Sequence, residues 1–243
     1  MKQTNLTILE NKKLSSGIYL MRLSGDVSAI TAPGQFINIK LDGYYLRRPI
    51  SVCDLDKDSV TIIYKVLGHG TDAMTAYEPG KVLDVLTGLG NGYDLSIMPE
   101  GRVVLLGGGV GIPPMFLLAK RLLAEGREVS VCLGYNCKDE VFFEEEFRAL
   151  GADVRIATVD GSYGVKGYVT DLLPDEYAYF CTCGPEPMLR AVNAATKTDG
   201  QMSFEERMGC GFGACMGCSC KTIAGNKRIC KDGPVLRKEE VLW

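Results

Sequence analysis

Short runs of apolar and β-branched residues, broken by turns, fill the first part of the chain. Gly17–Leu23, Gln35–Leu41, Ser59–Val66 and Lys81–Leu86 are β-prone and of strand length. Ala32-Pro33-Gly34, Asp42-Gly43 and Pro79-Gly80 separate them as turn signals. Short strands at this spacing predict a barrel or sandwich. From about residue 99 the rhythm changes. Val103–Gly107, Glu128–Gly134, Asp153–Val159 and Tyr177–Thr182 read as buried strands. Helical patterns lie between them at Pro113–Ala124, Val141–Leu150 and Glu186–Thr196, and Pro113 suits a first helical turn, where a missing N–H costs little. Strand alternating with helix predicts a doubly wound parallel sheet. The Met and Leu residues of 115–123 are read as core rather than as a binding face. Residues 204–243 are too few for a hydrophobic core of their own and are expected to need a metal centre as a staple. The expected organisation is thus α+β and multidomain, divided at 1–98, 99–203 and 204–243.

Composition narrows the class. The chain has 243 residues, 46% hydrophobic and 23% charged, which is globular and long enough for two domains and an appendage. A net charge of −3 gives no sign of the basic patch that nucleic acid requires. Met1–Leu14 is polar without an apolar signal core, so no secretory leader is expected. The longest apolar run, Val103–Leu123, is broken by glycines, two prolines, Lys120 and Arg121, so no membrane span is expected and the location expected is cytoplasmic. Ten cysteines in such a chain favour metal binding over disulfides. The single histidine, His69, argues against histidine-based acid–base work, and no base, nucleophile or triad stands out as a catalytic set.

Five cysteines crowd the tail, in the spacing Cys210-x4-Cys215-x2-Cys218-x11-Cys230, with Cys220 as the fifth. C-x4-C-x2-C followed by a distant cysteine is the plant-type [2Fe–2S] pattern, in which four thiolates complete two tetrahedral irons. Gly209, Gly211, Gly213 and Gly217 allow the backbone to wrap closely and aim N–H groups at sulfur. A structural zinc site is the competing reading. Such sites usually use two short cysteine knuckles, and here the second half offers only Cys230. Cys220 is read as a non-ligand, and Cys53, Cys132, Cys137 and Cys181 as packed or incidental.

Arg48-Pro49-Ile50-Ser51 follows a β-prone run; Ile63-Tyr64-Lys65-Val66, Gly68, Gly70 and Thr71 come after it. An arginine fork can bind a pyrophosphate, a serine hydroxyl can donate to a flavin ring atom, and Gly70-Thr71 opens a helix predicted over Asp72–Tyr77, whose first amides favour phosphate. Gly107-Gly108-Gly109-Val110-Gly111-Ile112-Pro113-Pro114 sits between a predicted strand and helix. It departs from strict G-x-G-x-x-G, since Pro114 stands where the last glycine would be, and a plain glycine-rich turn competes with pyrophosphate binding. Cys183-Gly184-Pro185 is expected at the end of a later strand, with Cys183 either a contact or a buried small residue. Tyr135–Glu140 offers no arginine for a 2′-phosphate, which leans to NAD over NADP.

Together, Arg48-Pro49-x-Ser51, Gly68-x-Gly70-Thr71, the loop at 107–111 and Cys183-Gly184-Pro185 resemble the ferredoxin–NADP+ reductase superfamily over roughly residues 5–200. The resemblance implies an FAD-binding antiparallel β-barrel joined to a nicotinamide-binding α/β domain. It implies that Arg48, Pro49, Ile50, Ser51, Ile63, Tyr64, Lys65, Gly70 and Thr71 hold FAD, and that Gly107, Gly108, Gly109, Gly111, Cys183, Gly184 and Pro185 serve NAD. The tail, from Glu205-Glu206-Arg207-Met208-Gly209-Cys210 to Cys230-Lys231-Asp232-Gly233-Pro234-Val235, closely resembles the electron-transfer subunits of NAD-dependent dihydroorotate dehydrogenase B, and likeness to that family then extends over essentially the full chain. That family implies a [2Fe–2S] cluster on Cys210, Cys215, Cys218 and Cys230, and an FMN-containing catalytic subunit that oxidises dihydroorotate in pyrimidine biosynthesis. It further implies a heterotetramer of two subunits of each kind. Related FAD/[2Fe–2S] reductase subunits exchanging electrons between NAD(P)H and ferredoxin or another partner share the architecture. A zinc-stapled nucleotide-binding module is the alternative of another class.

Overall fold

The computed structural model describes residues 1–243. Its first part is a barrel of six strands: β1 Lys2–Ser15, β2 Ile18–Gly25, β3 Phe36–Ile39, β4 Arg48–Leu55, β5 Ser59–Lys65 and β6 Val82–Leu89. The helix α1, His69–Thr75, lies between β5 and β6 in the chain. All pairs are antiparallel and the sheet closes in the order β1-β2-β5-β4-β3-β6. Alternate side chains fill the interior, among them Leu6, Ile8, Met21, Leu23, Ile37, Ile39, Ile62 and Tyr64, and α1 adds Met74. One element differs from expectation. The N-terminal segment, read only as polar, is the long strand β1; it looks polar because only Leu6 and Ile8 are fully buried. Arg48–Ser51, read only as following a β-prone run, does follow β3 and itself opens the strand β4.

The second part holds β7 Val103–Gly108, α2 Ile112–Ala124, β8 Val129–Tyr135, α3 Glu144–Ala149, β9 Asp153–Thr158, β10 Val165–Lys166, β11 Tyr179–Cys183, α4 Glu186–Ala195 and β12 Gly200–Ser203. These strands run parallel in the order β10-β9-β8-β7-β11-β12, as expected of a doubly wound sheet. On one face Met115, Leu118 and Leu122 of α2 pack with Phe147 of α3. A separate core cluster holds Leu189 and Val192 of α4 with Val169 and Leu172. The helix expected over 141–150 is shorter, because Phe142 and Phe143 leave helical geometry, Phe143 at φ 66°, to bury both rings in the core.

The barrel wall and one face of the sheet meet in a common core cluster. Ile18, Cys53 and Ile63, from the barrel wall, join the same cluster as Met115 and Leu118, and Lys120 pairs with Asp54 at 2.8 Å across the junction. The tail comprises β13 Ser219–Thr222, β14 Gly225–Arg228, α5 Ile229–Asp232 and β15 Val235–Arg237. The first two form a hairpin, while β15 adds antiparallel to β12 at the edge of the parallel sheet. Cys218, Ile229, Cys230 and Leu236 pack on Phe36, Leu86 and Leu89 of the barrel wall. Beyond the metal centre expected as a staple, the barrel supplies the tail with an apolar seat and the sheet supplies it with a strand partner.

Candidate redox-cofactor site

The tail cysteines come together as two pairs. Cys210 and Cys215 share one backbone loop: Cys210 N donates to Cys215 Sγ, and Ala214 N and Cys215 N donate to Cys210 Sγ at 3.3 and 3.5 Å. Cys230 N donates to Cys218 Sγ at 3.4 Å, and both of these thiols are buried. Burial pushes the Cys210 thiol up, but N–H groups of Cys215, Phe212 and Ala214 outweigh it and hold the group down at about 6. Burial, then the neighbouring Cys218 and Cys210, push Cys230 up to about 12. Adjacent thiols that cannot all ionise in water are what a cationic centre stabilises. A tetrahedral zinc needs all four sulfurs at about 2.3 Å from a single ion, whereas a two-iron cluster takes two thiolates per iron. The pairing of Cys210 with Cys215 and of Cys218 with Cys230 matches two thiolates on each of two irons. Cys220 pairs with Lys227 across the hairpin and packs, half-buried, against the patch that holds Cys218 and Cys230.

Positive φ at Gly211, Gly213 and Met216 turns the loop back on itself. Arg228 pins it, donating to Gly213 O at 2.9 Å while Asp232 accepts from its Nε at 2.9 Å. Asn91 reaches over from the barrel side, donating to Val235 O and accepting from Val235 N. Asn38 of β3 donates to Cys210 O at 3.2 Å. None of these four residues was among the candidates read from the sequence. For Asn38 the available signal was a polar residue inside the apolar run Phe36-Ile37-Asn38-Ile39.

The flavin candidates divide by strand face. The Arg48 guanidinium lies against the first turn of α1, so close that a Cβ on Gly70 would sit 2.2 Å from its Nε. It also stacks over Tyr44, 5.0 Å from the ring centre, and the Tyr44 hydroxyl donates to His69 O at 2.8 Å. The helix starts at His69 rather than Asp72, so Gly70 and Thr71 form its first turn. Thr71 Oγ1 accepts from Leu67 N and Gly68 N, which makes it a cap. An arginine beside first-turn amides is an anion seat suited to pyrophosphate. Pro49 and Ser51 pair across the ladder with Asn38 and Phe36, and Ile50 packs against the barrel core. On β5, Ile63 joins the core shared with the sheet and Lys65 is half-buried. Tyr64 is turned into the barrel with its hydroxyl 3.0 Å from Asn11 Oδ1, so its side chain is core and only its backbone is left for a ligand.

The nucleotide candidates meet at the switch point of the sheet, where chain order runs outward to β8 on one side of β7 and to β12 beyond β11. A crevice outside the strand ends at such a point is where open α/β sheets bind ligands. Gly107 and Gly108 end β7, and Gly109–Gly111 form the turn into α2. A Cβ on Gly111 would lie 2.2 Å from Cys183 O, and one on Gly108 would lie 2.3 Å from Met188 Sδ, so the 107–111 and 183–188 segments interlock. Cys183 is buried, and burial raises its thiol far above the ordinary range. At the end of β8, Glu140 Oε2 accepts from both the backbone N and Nδ2 of Asn136.

Residues 205–242 match the family described as the iron-sulfur cluster binding domain of dihydroorotate dehydrogenase B, and residues 105–194 match the oxidoreductase NAD-binding domain. The dihydroorotate dehydrogenase B (NAD(+)) electron transfer subunit of Bacillus pumilus is 44% identical, over 99% of this chain and 98% of its own length. That of Fusobacterium nucleatum is 42% identical over 99% of both. Among solved structures, the NADH-dependent reduced ferredoxin-NADP oxidoreductase, studied for flavin-based electron bifurcation, superposes with a TM-score of 0.89 at 29% identity, covering 98% of this chain and 90% of that one. A ferredoxin NADP+ reductase from Neisseria gonorrhoeae, with FAD and NADP bound, shares the fold at a TM-score of 0.70 and 18% identity, over 80% of this chain and 90% of that one.

Proposed function

The chain belongs to the family of electron transfer subunits of NAD(+)-dependent dihydroorotate dehydrogenase B, and on that footing we propose that it carries electrons between a dihydroorotate-oxidising catalytic subunit and NAD+. The barrel (1–98) takes FAD, the sheet (99–203) takes NAD and the tail (204–243) takes a [2Fe–2S] cluster. When bound, the cluster supplies one-electron transfer and the flavin links it to two-electron hydride exchange with nicotinamide. Arg48 and the α1 amides hold the FAD pyrophosphate. Ser51, with the backbone of Ile63, Tyr64 and Lys65, orients the ring. Gly107–Gly111 and Cys183–Pro185 admit the dinucleotide at the switch point. Cys210, Cys215, Cys218 and Cys230 bind the cluster.

The observation that carries this reading is the shared wall. Ser51 and Phe36 are paired residues on neighbouring strands, and Phe36 is part of the patch on which the cluster tail packs. Directly opposed residues stand only about 5 Å apart at Cβ, so flavin and cluster seats are neighbours, as electron transfer needs. The partner is an FMN-containing catalytic subunit, in a heterotetramer of two of each. No helix is long and apolar enough to cross a membrane, and a cytoplasmic location accords with that.

The test is NADH formation from dihydroorotate and NAD+, with this chain co-expressed alongside the FMN subunit and each subunit assayed alone. NADH is expected only from the pair. No NADH, from protein loaded with FAD and a [2Fe–2S] cluster, would move the chain to the second reading, a reductase subunit serving ferredoxin or another redox partner. Full-length likeness to the ferredoxin-NADP oxidoreductase is what favours that second reading.

A further inference from the structure

The barrel wall that receives the tail is built by Phe36, Leu86 and Leu89, and Asn38 stands among them on the ladder, paired with Pro49 on one side and Leu86 on the other. Asn38 is 1% exposed. Its Nδ2 donates to Cys210 O at 3.2 Å, and its Oδ1 is buried with no partner. Gly211, at φ 78°, presses on the same amide: a Cβ there would lie 2.3 Å from Asn38 Nδ2. The backbone of Asn38 is held too. Arg47 donates to its carbonyl while binding Asp84 through Nη2, at 3.0 Å to each carboxylate oxygen.

Packing alone does not account for this residue. A buried acceptor without a donor costs about 1–3 kcal/mol, a cost an apolar side chain of similar shape avoids. The amide instead reaches across from the strand next to Arg48–Ser51 and grips the loop at its first cysteine. The gripped turn, Cys210–Gly211, is separated by two residues from the Ala214 and Cys215 amides that donate to Cys210 Sγ. Hydrogen bonds to cluster sulfur stabilise the reduced, more negative state and so raise the potential.

We propose that Asn38 is a positioning residue for the iron–sulfur centre, clamping the Cys210–Gly211 turn to the flavin-bearing wall and thereby setting how firmly the cluster is held and at what potential. The inference rests on the [2Fe–2S] reading of the four cysteines. The experiment uses the full chain co-purified anaerobically with its catalytic subunit, and compares wild type, Asn38→Ala, Asn38→Asp and Gly211→Ala. Asn38→Ala is expected to keep FAD at the wild-type ratio and to release iron to a chelator about fivefold faster, the worth of one hydrogen bond. Its reduced-cluster EPR spectrum changes and its cluster potential falls. Asn38→Asp lowers the potential further, because it adds a negative charge beside the loop. Asn38→Asp keeps the shape of the side chain and keeps the test open where Asn38→Ala does not fold; Gly211→Ala, strained at φ 78° as well as crowding the amide, is expected to release iron faster still. Wild-type iron release, EPR spectrum and potential in the Asn38→Ala and Asn38→Asp proteins would overturn the proposal. So would loss of FAD and iron together, which marks Asn38 as barrel packing. A wild-type control lacking a [2Fe–2S] signal overturns the cluster reading itself and is seen before any variant is compared.

Discussion

Arg48 serves two neighbours from one position. Its guanidinium covers the Tyr44 ring and closes on the first turn of α1, where only a glycine leaves room for it. A charge-assisted hydrogen bond is worth about 1.5–3 kcal/mol, so Arg48→Ala should weaken FAD binding by roughly 10–100-fold. Flavin fluorescence on release measures this directly, and melting of the apoprotein should barely change, because the residue is only half-buried and outside the core. Unchanged affinity would place the pyrophosphate elsewhere. The chemical suitability of Arg48 was readable from its type and its neighbours. The facing of Tyr64 was not: period-two alternation separates Ile63 from Tyr64, but which set points inward depends on how the barrel closes.

The hairpin β13–β14 is tied down by Glu240, beyond β15 near the end of the chain. Glu240 accepts from Lys227 Nζ and from Arg237 N, and its carbonyl accepts from Ile223 N at 3.0 Å. Burial pushes the Glu240 carboxyl up, but Lys227 and the Arg237 amide outweigh it and hold it below the ordinary carboxylate range. A carboxyl depressed in the folded state stabilises that state above its unfolded pKa, and the contribution is lost as pH falls through its folded pKa. Acidification through and below the ordinary carboxylate range should therefore loosen residues 219–228 and speed iron loss. In Glu240→Gln the acid dependence should flatten, with the hairpin already looser at neutral pH. Hydrogen exchange of the tail against pH is the measurement, and an identical pH profile in the variant would refute the role. Nothing in the local pattern of Lys238-Glu239-Glu240 marks one of its carboxylates as structural, since the partner lies on a different element.

At the scale of the whole molecule the tail has three supports: the thiol pairs, the apolar patch on the barrel wall and the β15 ladder. Cys215→Ala should remove the cluster signal and most of the iron, while FAD stays bound and added hydrogen exchange is confined to residues near 205–232. Exchange spreading through β15 and the parallel sheet would mean that the cluster holds the sheet edge together. The cysteine spacing, the glycine-rich βα turn and the switch from short strands to alternating strand and helix were all legible in the chain, because ligand chemistry, phosphate approach and burial periodicity are local properties of a few consecutive residues. Residue type and spacing thus determined the four-cysteine cluster motif and an all-β part followed by a parallel α/β part, and the family resemblance added the barrel and FAD. Closure of the barrel decided that β1 is a strand and that Tyr64 is core. Docking of the tail decided that the cluster loop rests on β3, beside the flavin strand, and that Asn38 meets Cys210. Those contacts join residues more than a hundred positions apart, and only the shape of the folded wall brings them within hydrogen-bonding distance.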